Sequence, residues 1–331
     1  MPANRLPKKF IPATQKNNMN GLELSEKFFY SCGQTELKKI FGSDYERMAT
    51  GLAGHGSECF GFDDELSSDH DYDCGFCIWI TEDDYRKFGF KLERTYADIC
   101  KRANVFAKEK SIGGSDFKGV RTIENYLSFY LGSPSLPQTD EEWLAIPDFY
   151  LAEATNGKIF YDGKGEFTRI RNAVKYGRPA DVRLKKLASE LFYCAQFGQY
   201  NYYRCLKRKD VAAAAYCISS FCYHAACAAF LIADEYAPYY KWIFRALDNL
   251  PQFSFLRKQL NELCLTSPLN PVCGELSEKI CAELIAQLNK QPELSKNGNL
   301  CVSGNNDLER YAYAITDLIK NGNLRNSPVM L

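Results

Sequence analysis

Hydrophobic positions recur at helical spacing from Gly21 to Phe41, with a break in the pattern near Gly33. Met48 to Ala53 is short and apolar, and it runs into a glycine-rich turn, Gly54-His55-Gly56-Ser57. Tyr72 to Ile80 alternates and is rich in aromatic and β-branched residues, which predicts a strand. Thr81 is an expected N-cap, with Glu82, Asp83 and Asp84 in the first turn of a helix reaching about Lys108. Gly113-Gly114 then interrupts the chain before a second strand, Phe117 to Ile123, and a short helix, Glu124 to Leu131, that stops at Gly132. After a proline-containing loop, Ser133 to Gln138, the segment GKIFY at 157–161 predicts a last strand. Beyond Phe167 the pattern is helical to about Asn321, broken at Gly177-Arg178-Pro179, Ala237-Pro238, Pro251 and Ser267 to Gly274. The expected class is α+β: a flexible tail over 1–19, a small sheet with flanking helices over 20–165, and an α-helical domain over 166–331.

Composition adjusts this picture in three ways. With 331 residues and 46% hydrophobic content the chain can bury two cores. Lys+Arg and Asp+Glu balance at 41 each, so total charge does not argue for binding DNA, RNA or a membrane surface. Fourteen cysteines are scattered, and the polar, basic start MPANRLPKKF carries no apolar signal run, so reduced thiols in a cytoplasmic protein are expected. Val211 to Ala233 is the most apolar window, but it contains His224 and is followed at once by Asp234 and Glu235. A buried core helix is the expectation there, rather than a membrane span.

Charge distribution says more than its sum. From Met48 to Tyr85 the chain has ten acids and no lysine or arginine, while Lys164 to Lys209 holds twelve basic residues against Glu166, Asp181 and Glu190. Within the acidic run, Asp69, Asp71 and Asp73 alternate like the start of an EF-hand loop, but Cys74 stands where the turn glycine belongs and Ile80 where the bidentate glutamate belongs. A solvated loop accounts for Asp63, Asp64 and Glu65. Asp69 and Asp71 differ, because they lead into a strand in which side chains two apart project to one face. Two carboxylates on one face repel unless a cation bridges them, and Mg²⁺ is held by one or two carboxylates together with substrate phosphates. Upstream, Gly56-Ser57 follows a strand-like segment and opens a short helix, so backbone N–H groups and the Ser57 hydroxyl can converge on a phosphate.

The order Gly56-Ser57, Gly61, Ser68-Asp69-His70-Asp71-Tyr72 resembles the signature of the DNA polymerase beta-like nucleotidyltransferase superfamily. GLAGHGSECFGFDDELSSDHD (51–71) is closer still to a bacterial nucleotidyltransferase-fold family catalogued as a domain of unknown function. That likeness continues through GVRTIENYLSFYLG (119–132), GKIFYDGKGEF (157–167) and YAPYYKW (236–242). The resemblance implies a mixed-sheet catalytic domain, a helical domain that closes over substrate, and two-metal nucleotidyl transfer. By matching position, Asp69 and Asp71 are the implied catalytic metal ligands, and Gly56 and Ser57 the nucleotide-binding turn. Lys241 is the implied phosphate contact from the helical half; packing beside its aromatic neighbours is the plainer account. The superfamily commonly has a third carboxylate. The strand 117–123 offers Arg121 instead, leaving Asp116, Glu124, Asp148 and Glu153 as the nearby acids.

The expected activity is Mg²⁺-dependent transfer of a nucleoside monophosphate, AMP from ATP in the first instance, to a hydroxyl on an acceptor, releasing pyrophosphate. A small molecule is favoured over a protein or an RNA as that acceptor, since no RNA module is evident. A nucleotide-binding sensor that does not turn its ligand over is the alternative. Cys74 and Cys77 have CxxC spacing but lie in a strand pattern without a second pair, so buried thiols are expected. His70 and His224 are expected to serve packing, and Arg204, Lys207, Arg208 and Lys209 a solvated helix face.

Overall fold

The computed structural model describes residues 19–64, 74–103, 105, 118–291 and 306–331. The chain divides into two compact units, one of residues 1–137 and 150–177, the other of 138–149 and 178–331.

The first unit is built on a four-stranded mixed sheet of order β3-β2-β1-β4, from β1 (Ala49–Leu52), β2 (Cys77–Ile80), β3 (Gly119–Thr122) and β4 (Lys158–Asp162). β1 pairs antiparallel with both β2 and β4, and β2 pairs parallel with β3. A parallel pair needs a crossover. Here a helical segment supplies it, entering through Glu82–Asp84 and ending as Phe90–Ala103. Thr81 caps this segment as expected, its Oγ1 accepting from Asp84 N–H at 3.2 Å.

All four residues of β2 are buried, so the strand reads as a continuous apolar run. One face carries α1 (Gly21–Phe28) and α2 (Gln34–Phe41): Phe76 meets Phe28 and Phe29 at 5.6 and 5.3 Å between ring centroids, and Phe29 meets Phe160 of β4 at 5.9 Å. The other face carries α5 (Ile123–Leu131) and α8 (Glu166–Tyr176), with Trp79 stacked on Phe167 at 4.3 Å and edge-on to Tyr126 at 5.7 Å. The remaining helices of this half are α3 (Ser57–Phe60) and α4, the Phe90–Ala103 segment above. α6 (Asp140–Ala145) and α7 (Asp148–Thr155) complete the count up to β4.

Two expectations are corrected here. The break near Gly33 is a π-helical stretch, Phe29–Gly33, that joins α1 to α2 without a stop; the Phe76 ring lies 2.7 Å from where a Cβ on Gly33 would stand. The boundary placed at 165–166 falls at 177–178, because Phe167 of α8 fills the sheet's core. Residues 138–149 in turn belong with the second unit, where Lys186 Nζ donates to the Ile146 carbonyl and to Asp148, both at 2.6 Å. Arg178 Nη1 adds a 3.2 Å bond to Asp148.

Acid sensitivity has a local source in the first unit. Asp84 is buried, which by itself raises its carboxyl, yet Lys87 at 3.2 Å and Arg47 at 2.6 Å outweigh that and hold it below its ordinary 3.8. A depressed carboxylate contributes stability that is present above the unfolded value and is lost as pH falls through the folded one. Asp84→Asn should therefore flatten the acid limb of a stability–pH curve below about pH 4, at a cost near neutrality of about 2 kcal/mol, as chemical denaturation at several pH values will measure.

The second unit is helical. α9 (Ala180–Cys194) packs on α11 (Val211–Ile232) and α15 (Leu308–Asp317), with α10 (Tyr202–Arg208), α12 (Tyr240–Ala246), α13 (Leu256–Leu265), α14 (Val272–Leu288) and α16 (Gly322–Asn326) around them. Among the described residues α11 is the one helix long and apolar enough to cross a membrane, and 67% of its apolar window is buried in the structure. His224 on α11 is satisfied, its Nδ1 2.7 Å from Glu190 and its ring stacked on Tyr193 at 4.5 Å. Arg204, Lys207, Arg208 and Lys209 are all exposed.

Candidate functional site

The sheet brings four chain ends to one edge. β1 ends there at Leu52, opposite Lys158 where β4 begins, and Cys77 and Gly119 open β2 and β3 beside it. The turn between β1 and α3 projects from this edge. Gly54 and Gly56 adopt φ of +112° and +118°, conformations that side-chain-bearing residues rarely take, and the chain then enters α3 at Ser57. No side chain caps this helix start. The N–H groups at a helix start, together with the Ser57 hydroxyl, are donors of the kind that bind an anion.

Residues distant in sequence hold this turn. The Asn156 side chain clasps the Gly54 backbone from both sides: Gly54 N–H donates to Asn156 Oδ1, and Asn156 Nδ2 donates to the Gly54 carbonyl, each at 2.8 Å. His55 Nδ1 lies 2.7 Å from Oε2 of Glu153, whose side chain is 4% exposed against 57% for His55. Gly157 N–H donates to the Cys59 carbonyl at 2.9 Å. Behind them the buried Arg171 donates from Nε to the Ala154 carbonyl at 3.2 Å and from Nη2 to the Asn156 carbonyl. The turn is thus fastened through α7, the start of β4 and α8.

Charge at the edge is also arranged. The Glu58 carboxylate folds back against Gly56, and Lys118, just before β3, stands 3.5 Å from it. Asp63 accepts the Gly21 N–H at 2.6 Å and so tethers the N-terminus of α1. Cys74 and Cys77 are buried thiols; burial pushes Cys77 up to about 11.

Of the residues singled out from sequence, Gly56 and Ser57 form this turn. Asp69, Asp71 and His70 lie outside the described residues, as does Asp116; in sequence, Asp71 stands three positions before Cys74. Lys241 is exposed on α12 in the second unit, its Nζ 4.8 Å over the Trp242 ring. The other candidate acids have partners of their own. Glu124 accepts the Glu82 N–H at 3.0 Å, Asp148 is paired with Arg178 and Lys186, and Glu153 orients His55. Among the described residues no three or more His, Cys, Asp or Glu side chains gather as a metal site.

Residues 143–243 match the model of a family described as a domain of unknown function, DUF4037. No curated protein and no solved structure matches the chain. The DUF4037 match begins after the Gly-Ser turn but contains Glu153, Asn156 and Arg171, which brace it, and Lys241. Sequence reading missed Asn156 and Lys118. An Asn-Gly pair before a strand is ordinary turn chemistry, and only its pairing with Gly54, 102 positions away, reveals its use.

Proposed function

We propose that the chain is a Mg²⁺-dependent nucleotidyltransferase that moves AMP from ATP to a hydroxyl on a small-molecule acceptor and releases pyrophosphate, working in the cytoplasm. The supporting observation is the braced Gly54–Ser57 turn, standing at the sheet edge where β2 starts, a strand that the sequence joins to Asp69 and Asp71 through Cys74. The DUF4037 match is consistent with the family that the sequence resembles.

On this reading the N–H groups at the start of α3 and the Ser57 hydroxyl bind the triphosphate oxygens, and the two aspartates supply the carboxylates for the ion. Mg²⁺ held there would polarise the α-phosphate and neutralise the departing pyrophosphate. Lys118 adds a positive charge beside the turn, while Glu58 is the anion that a triphosphate meets. Opposite effects follow: Lys118→Ala should weaken ATP binding about tenfold, and Glu58→Gln should tighten it, each near 1.4 kcal/mol, as isothermal titration will read. Asn156→Ala should destabilise the fold by about 2 kcal/mol, from the lost clasp on Gly54, and weaken ATP binding in the same assay.

A non-catalytic nucleotide sensor is the second reading. It is favoured by the engagement of Glu124, Asp148 and Glu153 elsewhere, which leaves none of these three as the third carboxylate for the ion. Incubation of the chain with Mg²⁺, labelled ATP and a panel of hydroxylated metabolites and aminoglycosides separates the two. Pyrophosphate release coupled to an adenylylated product supports the transferase. An ATP- and Mg²⁺-dependent rise in melting temperature with no release supports the sensor, and no thermal response to any nucleotide overturns both.

A further inference from the structure

Two thiols of the helical unit form a pair of their own. Cys222 lies in the buried middle of α11, and Cys264 lies near the C-terminal end of α13. Their sulfurs are hydrogen-bonded at 3.6 Å. Among the described residues Cys264 is the one cysteine whose residue is exposed, whereas Cys222 is buried. Cys222 Sγ also donates to the Leu260 carbonyl at 4.0 Å, one turn before Cys264 on the same helix, which keeps its sulfur beside that helix.

We propose that Cys264 is a site of oxidation by hydroperoxides and that Cys222 resolves it, closing an intramolecular disulfide between α11 and α13. The Cys264 thiolate attacks one peroxide oxygen, the O–O bond breaks, and the alcohol or water leaves with the proton; Cys264 becomes a sulfenic acid. The Cys222 sulfur then attacks the sulfenyl sulfur and its thiol proton departs with the hydroxyl as water. Two thiols and one hydroperoxide thus give one disulfide, one alcohol or water, and one water, with the peroxide taking up the two electrons.

Geometry favours the pair. A disulfide needs its sulfurs at about 2.05 Å, so from 3.6 Å they must close by roughly 1.6 Å. Accessibility sets the order of events, since an oxidant meets Cys264 before Cys222. The same hydrogen bond lowers the Cys264 thiol to about 7 and, with burial, pushes Cys222 up, so the exposed sulfur is the better nucleophile at neutral pH. The bond would close a loop spanning 42 positions that contains α12.

The full chain, reduced and then freed of reductant, is treated with one equivalent of hydrogen peroxide, quenched by alkylation in denaturant and mapped by mass spectrometry. The expected result is a cross-linked peptide joining Cys222 to Cys264, reversed by dithiothreitol, and a melting temperature higher by about 5 °C or more in the oxidised form. Cys264→Ser should abolish the cross-link while leaving the reduced protein's melting temperature unchanged. Cys222→Ala should leave Cys264 as a sulfenic acid trapped by dimedone. Absence of the cross-link under peroxide, or Cys264 captured only in disulfides between chains, overturns the proposal.

Discussion

Replacing Asp69 and Asp71 together by asparagine is expected to reduce ATP-dependent pyrophosphate release by at least ~10³-fold while leaving the melting temperature within about 2 °C of the parent. On the proposed reading the two carboxylates would supply the negative charge that a divalent ion requires, and amides of the same shape would not. Removing one electrostatic contact of this kind commonly costs about 10²–10³ in turnover, and the pair acts as one unit. A structural role predicts something else: two aspartates serving only as solvated loop residues would leave release intact, and that outcome sinks the transferase reading. Titration with Mg²⁺ adds a check independent of the acceptor. The parent should gain thermal stability from ATP only when Mg²⁺ is present, and the double variant should show no such dependence.

Gly157→Ala is expected to cost about 3–4 kcal/mol. Gly157 has φ of +66°, and a Cβ there would stand 2.0 Å from the Leu52 carbonyl oxygen, which belongs to β1. The left-handed conformation alone costs an L-residue about 1–2 kcal/mol. The clash adds to it, because the atom in the way is backbone held in the β1–β4 ladder and cannot swing aside. For a unit of this size the melting temperature should fall by roughly 8–15 °C. Calorimetry should show the loss in one transition if the units melt separately, and nucleotide binding should weaken too, since Gly157 N–H holds the chain following the turn through Cys59. A melting temperature unchanged by this substitution would overturn the close approach of Gly157 to the Leu52 carbonyl across the β1–β4 pair.

Much of the fold follows from local signals. Thr81 followed by three acids specified a helix start, because a hydroxyl acceptor and negative charge both satisfy the free N–H end. Gly132 specified a stop, and it caps α5 at φ of +74°. The alternating, aromatic and β-branched run Tyr72 to Ile80 announced a strand; the structure forms it at Cys77–Ile80, with all four residues buried rather than alternating. The glycines around Ser57 pointed to a turn with unusual backbone, which Gly54 and Gly56 adopt. Gly33 misled, since glycine suggests a helix break, whereas here it makes room for Phe76. The domain boundary was misplaced for a related reason. A change from strand-like to helical pattern marks a change of secondary structure, and α8 is helical yet belongs to the sheet's core through Phe167.

The sequence alone determined the α+β class, the strands, the helix caps and the turn at Gly56-Ser57, because each depends on backbone preferences and apolar spacing within a few residues. Only the tertiary structure decided what holds that turn: Asn156 on Gly54, Glu153 on His55, and Lys118 beside Glu58. These pairs are separated by 102, 98 and 60 positions and become neighbours when β4 and β3 join the sheet on either side of the β1–β2 pair. The same holds for Cys222 and Cys264, which helix packing brings to 3.6 Å. Polar side chains carry no periodicity of their own, so nothing in the local pattern announces their partners; the burial of apolar faces selects the register, and the register sets those distances.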